Sequence, residues 1–373
     1  MTSAGFAYRP IASIGLMAAL ILVFAAEIAF GIGAWSEMLQ PTLTTLAAFG
    51  GASRMLIEEG GEWFRVLTLA LLHANALHLG MNCLGLWLGG RALEPIVGRC
   101  WLLAIFAIGA VSGGVASVFF NPPNIVGVGA SGAIMGLFGF LLAFAFRIPD
   151  AEARKAYIGN SMGVLIPSLA PALLSSDMFG GGLKIDYASH AGGALGGAAV
   201  AGLLALVWRD ISRPLDLGRT ALAICTAAAL VIGYGWVTLY QRYPDHAFVA
   251  GFIPNDLMPG TDSELGLRAV ELLAKFPNDP RVHFAQAISL ARSQDASAAE
   301  RHARKAFDLV ERYPRALKPE FRQRVRGLLA LTLVDLKRLP DAREIAAPLC
   351  SDVTTEQLKA LLARSKLCEK PAR

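Results

Sequence analysis

The chain has 373 residues, of which 54% are apolar and only 17% charged; its mean hydropathy is +0.49 and its formal net charge +5. That composition excludes an ordinary soluble globular chain and is that of a membrane protein.

Apolar runs long enough, or nearly long enough, to cross a bilayer predict seven spans, at 11–32, 66–88, 101–120, 130–146, 157–174, 189–208 and 220–240. The first, behind Arg9, is an anchor and not a cleaved leader, because its apolar stretch is too long and no small-residue cleavage site follows. Lys and Arg in short connecting segments stay preferentially on the cytoplasmic side. With the N-terminus inside, Arg9, Arg91, Arg99, Arg147, Arg154, Lys155, Arg209, Arg213 and Arg219 are inside, against Arg54, Arg65 and Lys184 outside. A cytoplasmic N-terminus is therefore expected. After an odd number of spans, everything beyond Tyr240 is then outside, with the chain in a bacterial inner membrane.

Near residue 241 the composition changes, and the tail carries the whole +5 charge. Two amphipathic stretches between Pro280 and Pro314 resemble a tetratricopeptide helical hairpin, and a looser second copy runs through Leu329, Leu333 and Leu336, then Ala342 and Ala346. An unrelated helical bundle is the alternative. The basic residues are spread along helix faces without aromatic interleaving, so a protein partner is expected there and nucleic acid is not. Cys350 and Cys368 fall in this outer tail, where thiols are oxidised, and are expected to pair, provided the helix expected after the Thr354/Gln357 capping box does not run on to Cys368. Cys83, Cys100 and Cys225 lie in or beside spans and should stay reduced. The expected architecture is all-α: a polytopic helical core over 1–208, a linker and seventh span over 209–243, and a soluble helical domain over 255–373.

Three spans carry polar groups that hydrocarbon should exclude: His73, His78 and Asn82 in the second, Ser131 at the start of the fourth and His190 at the start of the sixth. A serine hydroxyl attacks a carbonyl only if a base takes its proton and donors receive the charge on the carbonyl oxygen. His190 can be that base. Ser131 opens a helix, so free backbone N–H groups and the positive end of the dipole lie beside it. His78 and Asn82, four residues apart, share a helix face and both can donate. No Asp or Glu sits beside His190 in sequence, which favours a dyad over a triad. Gly132 and Gly136 in the fourth span, with Gly192 and Gly196 or Gly193 and Gly197 in the sixth, are spaced for close helix approach. The fourth span, 17 residues at ~1.5 Å each, covers ~25 Å of a ~30 Å hydrocarbon layer, so its serine should lie a few Å below the outer surface.

His78 with Asn82, Gly129-x-Ser131-Gly132, and His190 with Gly193 and Gly197, each set in its own span and in this order, resemble the rhomboid intramembrane serine proteases. Further matches are Trp63-Phe64-Arg65 before the second span, His73 five residues ahead of His78, and Leu93-Glu94 after that span. The resemblance covers about residues 10–208. It implies Ser131 as nucleophile, His190 as general base, and His78, Asn82 and the Ser131 backbone as oxyanion hole, acting without cofactor or metal on transmembrane segments of other proteins in the bilayer. It also implies that the fifth span, interrupted by Pro167 and Pro171, is a mobile lateral gate and that 33–65 is an outer collar. Many members have an aromatic residue where this chain has Met135, four residues after the serine. Glu27, His73 and Asn75 are assigned structural or interfacial roles.

Two other classes remain. A catalytically dead relative that holds membrane clients would typically have lost the serine or the histidine, and both are present. A transporter is not supported by any inverted repeat or pair of broken helices. For metal chemistry, His73 and His78 lack a third ligand at useful spacing.

Overall fold

A computed structural model describes residues 8–34, 36, 39–123, 125–169, 185–254, 257–351 and 356–368, and among these the regular structure is helical. The chain divides into two compact units, 1–241 and 242–373.

In the first unit the helices are α1 (Ile11–Ala29), α2 (Leu43–Phe49), α3 (Arg54–Glu58), α4 (Arg65–Thr68, continued by a 3-10 turn at Leu69–Leu71), α5 (Ala76–Val97), α6 (Arg99–Phe120), α7 (Ser131–Ala145), α8 (Ala151–Leu169), α9 (Tyr187–Val207) and most of α10 (Gly218–Val249), whose last residues fall in the second unit. α1, α6, α9 and α10 are each long and apolar enough to cross a membrane, and α4 with α5 would make a fifth span if the bent pair is counted as one. α7 is apolar but only 15 residues long. The lower end of the expected fifth span is α8; Pro171 and the other residues of that span past Leu169 lie outside the described residues.

Two expectations need correction. The second span was expected as one run over 66–88, but the chain bends by 96° between Leu71 and Ala76, and the long helix is Ala76–Val97. The cause is a cap that hydropathy does not register: Asn75 Oδ1 accepts from His78 N at 2.8 Å and starts a new helix. Leu93 and Glu94, expected beyond the span, are consequently inside α5 and fully buried. The Glu94 side chain accepts from Ala12 N (3.1 Å), Ser13 N (3.1 Å) and Ser13 Oγ (2.8 Å), so a residue some eighty positions away satisfies the free N–H groups at the start of α1.

Within 33–65, α2 and the turns on either side of α3 are held by Arg65, whose fully buried guanidinium donates to the carbonyls of Ala47 (2.6 Å) and Gly51 (2.8 Å) and pairs with Glu62. The centre of the unit is α7, buried on nearly all sides, as expected of a helix that is apolar all round. It packs between α6 and α9 through glycine. A Cβ at Gly109 would lie 3.2 Å from Gly136 Cα, one at Gly113 would lie 3.3 Å from Gly132 Cα, and side chains at Gly193 and Gly197 would overlap the carbonyls of Gly132 and Gly136. These contacts bring backbones together where larger residues would hold them apart.

In the second unit, α11 (Asp262–Leu267), α12 (Ala269–Lys275), α13 (Pro280–Arg292), α14 (Ala296–Arg312), α15 (Pro319–Asp335), α16 (Leu339–Ala346) and α17 (Glu356–Arg364) follow one another. Each of α13 to α16 packs on its neighbour in sequence, α13 and α14 being capped by Asp279 and Asp295. Ala287, Ala303, Leu329, Leu333, Ala342 and Ala346 meet in one core. Thr354 lies outside the described residues. Helix α17 stops at Arg364, short of Cys368, and Cys350 and Cys368 are disulfide-bonded with their Cα atoms 5.4 Å apart.

The glycine contacts set a stability test. Gly197→Val, which drives a branched side chain into the Gly136 carbonyl, should cost on the order of 3 kcal/mol or prevent folding. Gly202→Ala, on the same helix with open space around it, should be neutral or gain about 0.5–1 kcal/mol from helix propensity. Thermal unfolding of the two variants in detergent measures both effects.

Candidate active site

Ser131 is the first residue of α7, and the segment before it is tied to the backbone at Ala52 and Leu69. Gly127 exchanges backbone hydrogen bonds with Ala52 (2.7 and 3.0 Å), and Gly129 N donates to Leu69 O at 2.9 Å. Gly129 has φ +127°, open to glycine, and a Cβ there would lie 2.6 Å from His78 Cε1, 2.8 Å from its Nε2 and 3.7 Å from Ser131 Oγ. A side chain at residue 129 would thus fill the space beside both the imidazole of His78 and the hydroxyl of Ser131. No side chain caps α7, and its first intrahelical bond is Ile134 N to Ala130 O. The N–H groups of Ser131, Gly132 and Ala133 are left at the positive end of the helix dipole.

The two histidines have opposite hydrogen-bonding roles. His78 Nδ1 lies 3.4 Å from Ala74 N; an N–H can only donate, so Nδ1 is the acceptor and Nε2, on the Gly129 side, bears the proton. His190 is buried on α9 with Nδ1 2.9 Å from Ser168 O; a carbonyl can only accept, so Nδ1 bears the proton and Nε2 keeps its lone pair. These tautomers are inferred from the backbone partners. One turn beyond His78, Asn82 is buried with its Nδ2 unpartnered among the described residues, a donor in need of an acceptor.

Ser131 Oγ makes no hydrogen bond to His190 among the described residues, although Gly132, the next residue, packs on the hydroxyl and carbonyl of Ser189, the residue before His190. Such bonds are commonly long before substrate binds. Met135 is buried in the core one turn behind Ser131. His73 is fully buried, its ring edge-on to His78 at 5.3 Å, and its backbone N–H donates to the buried Glu27 carboxyl (3.3 Å). Among the described residues no three His, Cys, Asp or Glu side chains gather as metal ligands.

Three participants were not singled out for these roles in the sequence. Asn75 was legible as a cap, since it precedes an apolar helix. Asp186, four residues before His190, caps α9 through Ser189 N (2.8 Å) and accepts from Ser117 Oγ, without a hydrogen bond to the imidazole. The Ser168 carbonyl left no signal, because every residue carries one.

Residues 60–207 match the family model for the Rhomboid domain. The chain carries a rhomboid domain. It is 34% identical over 204 residues to "Rhomboid protease GluP" of Bacillus subtilis (strain 168), a match covering 54% of this chain and 36% of that protein. It is 27% identical over 221 residues to "Rhomboid protease AarA" of Providencia stuartii, covering 53% and 76%, and 34% identical over 191 residues to "RHOMBOID-like protein 6, mitochondrial" of Arabidopsis thaliana, covering 50% and 59%. The match thus spans about a third of the length of GluP. All the candidate site residues, from His78 to His190, fall within the rhomboid domain.

Because Asn75 starts the helix that carries His78, Asn75→Ala should loosen that histidine. The expected cost is about 1 kcal/mol of stability, and Asn75→Asp should recover most of it; chemical denaturation of the three proteins in detergent reads the difference.

Proposed function

We propose that this chain is an intramembrane serine endopeptidase that cleaves transmembrane segments of other proteins with a Ser131–His190 dyad. The observation that carries it is the pair of opposite tautomers beside a serine at a free helix N-terminus: His190 offers a lone pair and His78 offers a proton. His190 Nε2 takes the Ser131 proton as Oγ attacks the scissile carbonyl. The oxyanion accepts hydrogen bonds from Ser131 N–H, His78 Nε2–H and the unpartnered Asn82 amide. His190 passes its proton to the leaving amine, and water then hydrolyses the acyl-enzyme by the reverse sequence of proton transfers. A helical peptide bond is shielded by its own hydrogen bonding, so the substrate must unwind locally at the site. Side chains and backbone supply every group, and no cofactor enters the scheme.

The second unit acts in this proposal as a tetratricopeptide-like module that recruits a substrate or partner, since every catalytic candidate precedes α10. The chain lies in a bacterial inner membrane with its N-terminus in the cytoplasm and the second unit outside, where the Cys350–Cys368 bond is stable.

Cleavage of a model transmembrane substrate in liposomes tests the chemistry. Ser131→Ala and His190→Ala should each abolish it, Asn82→Ala should reduce it on the order of 10²-fold, and a chain ending after Tyr243 should retain it. Full activity of Ser131→Ala, or inhibition by a chelator, would refute the dyad.

Topology has its own test. In protein extracted from cells under alkylating conditions, denatured without reductant, Cys350 and Cys368 should resist a thiol reagent while Cys83, Cys100 and Cys225 react. Labelling of all five would mean either that the bridge is absent or that the second unit is cytoplasmic, and a topology reporter fused after Arg373 would say which.

A further inference from the structure

Helix α8 is held to the rest of the first unit mainly by apolar contact. Only Ser161 and Leu165 along its length are buried, and a groove of about 600 Å³ separates part of it from α7 and α9, lined by Gly139, Ala143, Met162, Leu165, Ala194 and Ala198 among others. Among the described residues, one hydrogen bond ties α8 to another span: His190 Nδ1 to Ser168 O, 2.9 Å. Ser168 is the next-to-last described residue of α8, and its carbonyl accepts from an imidazole on a neighbouring helix.

We propose that the Ser168 backbone carbonyl is a positioning group for catalysis: it holds His190 in the tautomer that can act as a base, and so couples the position of α8 to the competence of the dyad. The proposal rests on the protease function above. With α8 in place, the carbonyl requires a proton on Nδ1 and leaves Nε2 as the acceptor facing the reaction. When α8 leans away from α7 and α9, the bond breaks, and His190 is free to carry its proton on Nε2, where it cannot accept one from Ser131. Displacement of α8 therefore switches the base off, and its return switches the base on. The coupling is local and mechanical, with one bond reporting helix position to one imidazole.

A side-chain substitution cannot remove a carbonyl, but an ester can weaken one. Replacing Leu169 by its α-hydroxy acid turns the 168–169 amide into an ester, whose carbonyl is a poorer acceptor, and leaves every side chain unchanged. The control is the ester at the 167–168 linkage, which perturbs the same turn and keeps the Ser168 carbonyl an amide. Full-length protein in liposomes is assayed on a model transmembrane substrate, and 15N-histidine NMR reads the tautomer of His190. The 168–169 ester should lower kcat about 5- to 10-fold with KM little changed, and the His190 signals should move from a single Nδ1–H form toward a mixture; the control should do neither. A fall in kcat with the Nδ1–H signature intact would make the effect merely structural and overturn the proposal. So would equal rates for the ester and the wild type. Wild-type protein in which neutral His190 is protonated on Nε2 would overturn it without any variant. If the wild type neither cleaves the substrate nor reacts with a fluorophosphonate at Ser131, the protease function itself fails and the proposal with it. A wild type that cleaves beside an ester form that cleaves equally fast defeats the proposal alone.

Discussion

Close backbone contact between α6, α7 and α9 is the constraint on which the rest depends. Gly109, Gly113, Gly132, Gly136, Gly193 and Gly197 let the three helices touch at carbonyls and Cα atoms. In lipid there is no hydrophobic force between helices, so this packing, with its many short dispersion contacts, has to supply the association. It also fixes registry. Gly132 packs on Ser189, so the helix turns that begin α7 and α9, which carry Ser131 and His190, are held against each other. The pairing proposed for Ser131 and His190 depends on how this core closes.

Backbone atoms, more than side chains, define the chemistry of the site. Ala74 N–H and Ser168 C=O assign opposite roles to two imidazoles of the same composition. Gly129, by lacking a side chain, lets one imidazole come close to the serine, and the unpaired N–H groups of α7 provide donors with no residue identity at all. A site built this way is insensitive to many substitutions on its periphery and very sensitive to shifts of the helices that carry it.

This division explains what the sequence revealed. The side-chain components, Ser131, His78, Asn82 and His190, stood out because polar groups are rare in apolar spans, and the helical class followed from long apolar runs. Hydropathy, however, averages over a window and so missed the 96° bend before Ala76, where one asparagine cap overrides a continuous apolar stretch. It also misplaced Glu94 outside the membrane part, because a lone acid reads as a boundary unless its donors, Ala12 and Ser13, are known to be nearby. The Ser168 carbonyl could not have been found, since a backbone acceptor is present at every position and only the fold selects one.

The bond from Glu94 to the start of α1 also bears on evolution. An apolar helix inserts in a membrane on hydropathy alone, and many unrelated segments would serve as a first anchor. Docking on α5 is another matter: the carboxyl requires two consecutive backbone donors and a hydroxyl at Ser13 within hydrogen-bonding reach, while Gly90 requires that the same serine lie against it. The first helix is therefore selected twice, once loosely by the lipid and once strictly by its neighbour. Exchange of this segment for another of equal hydropathy would be expected to yield a chain that inserts correctly and assembles badly.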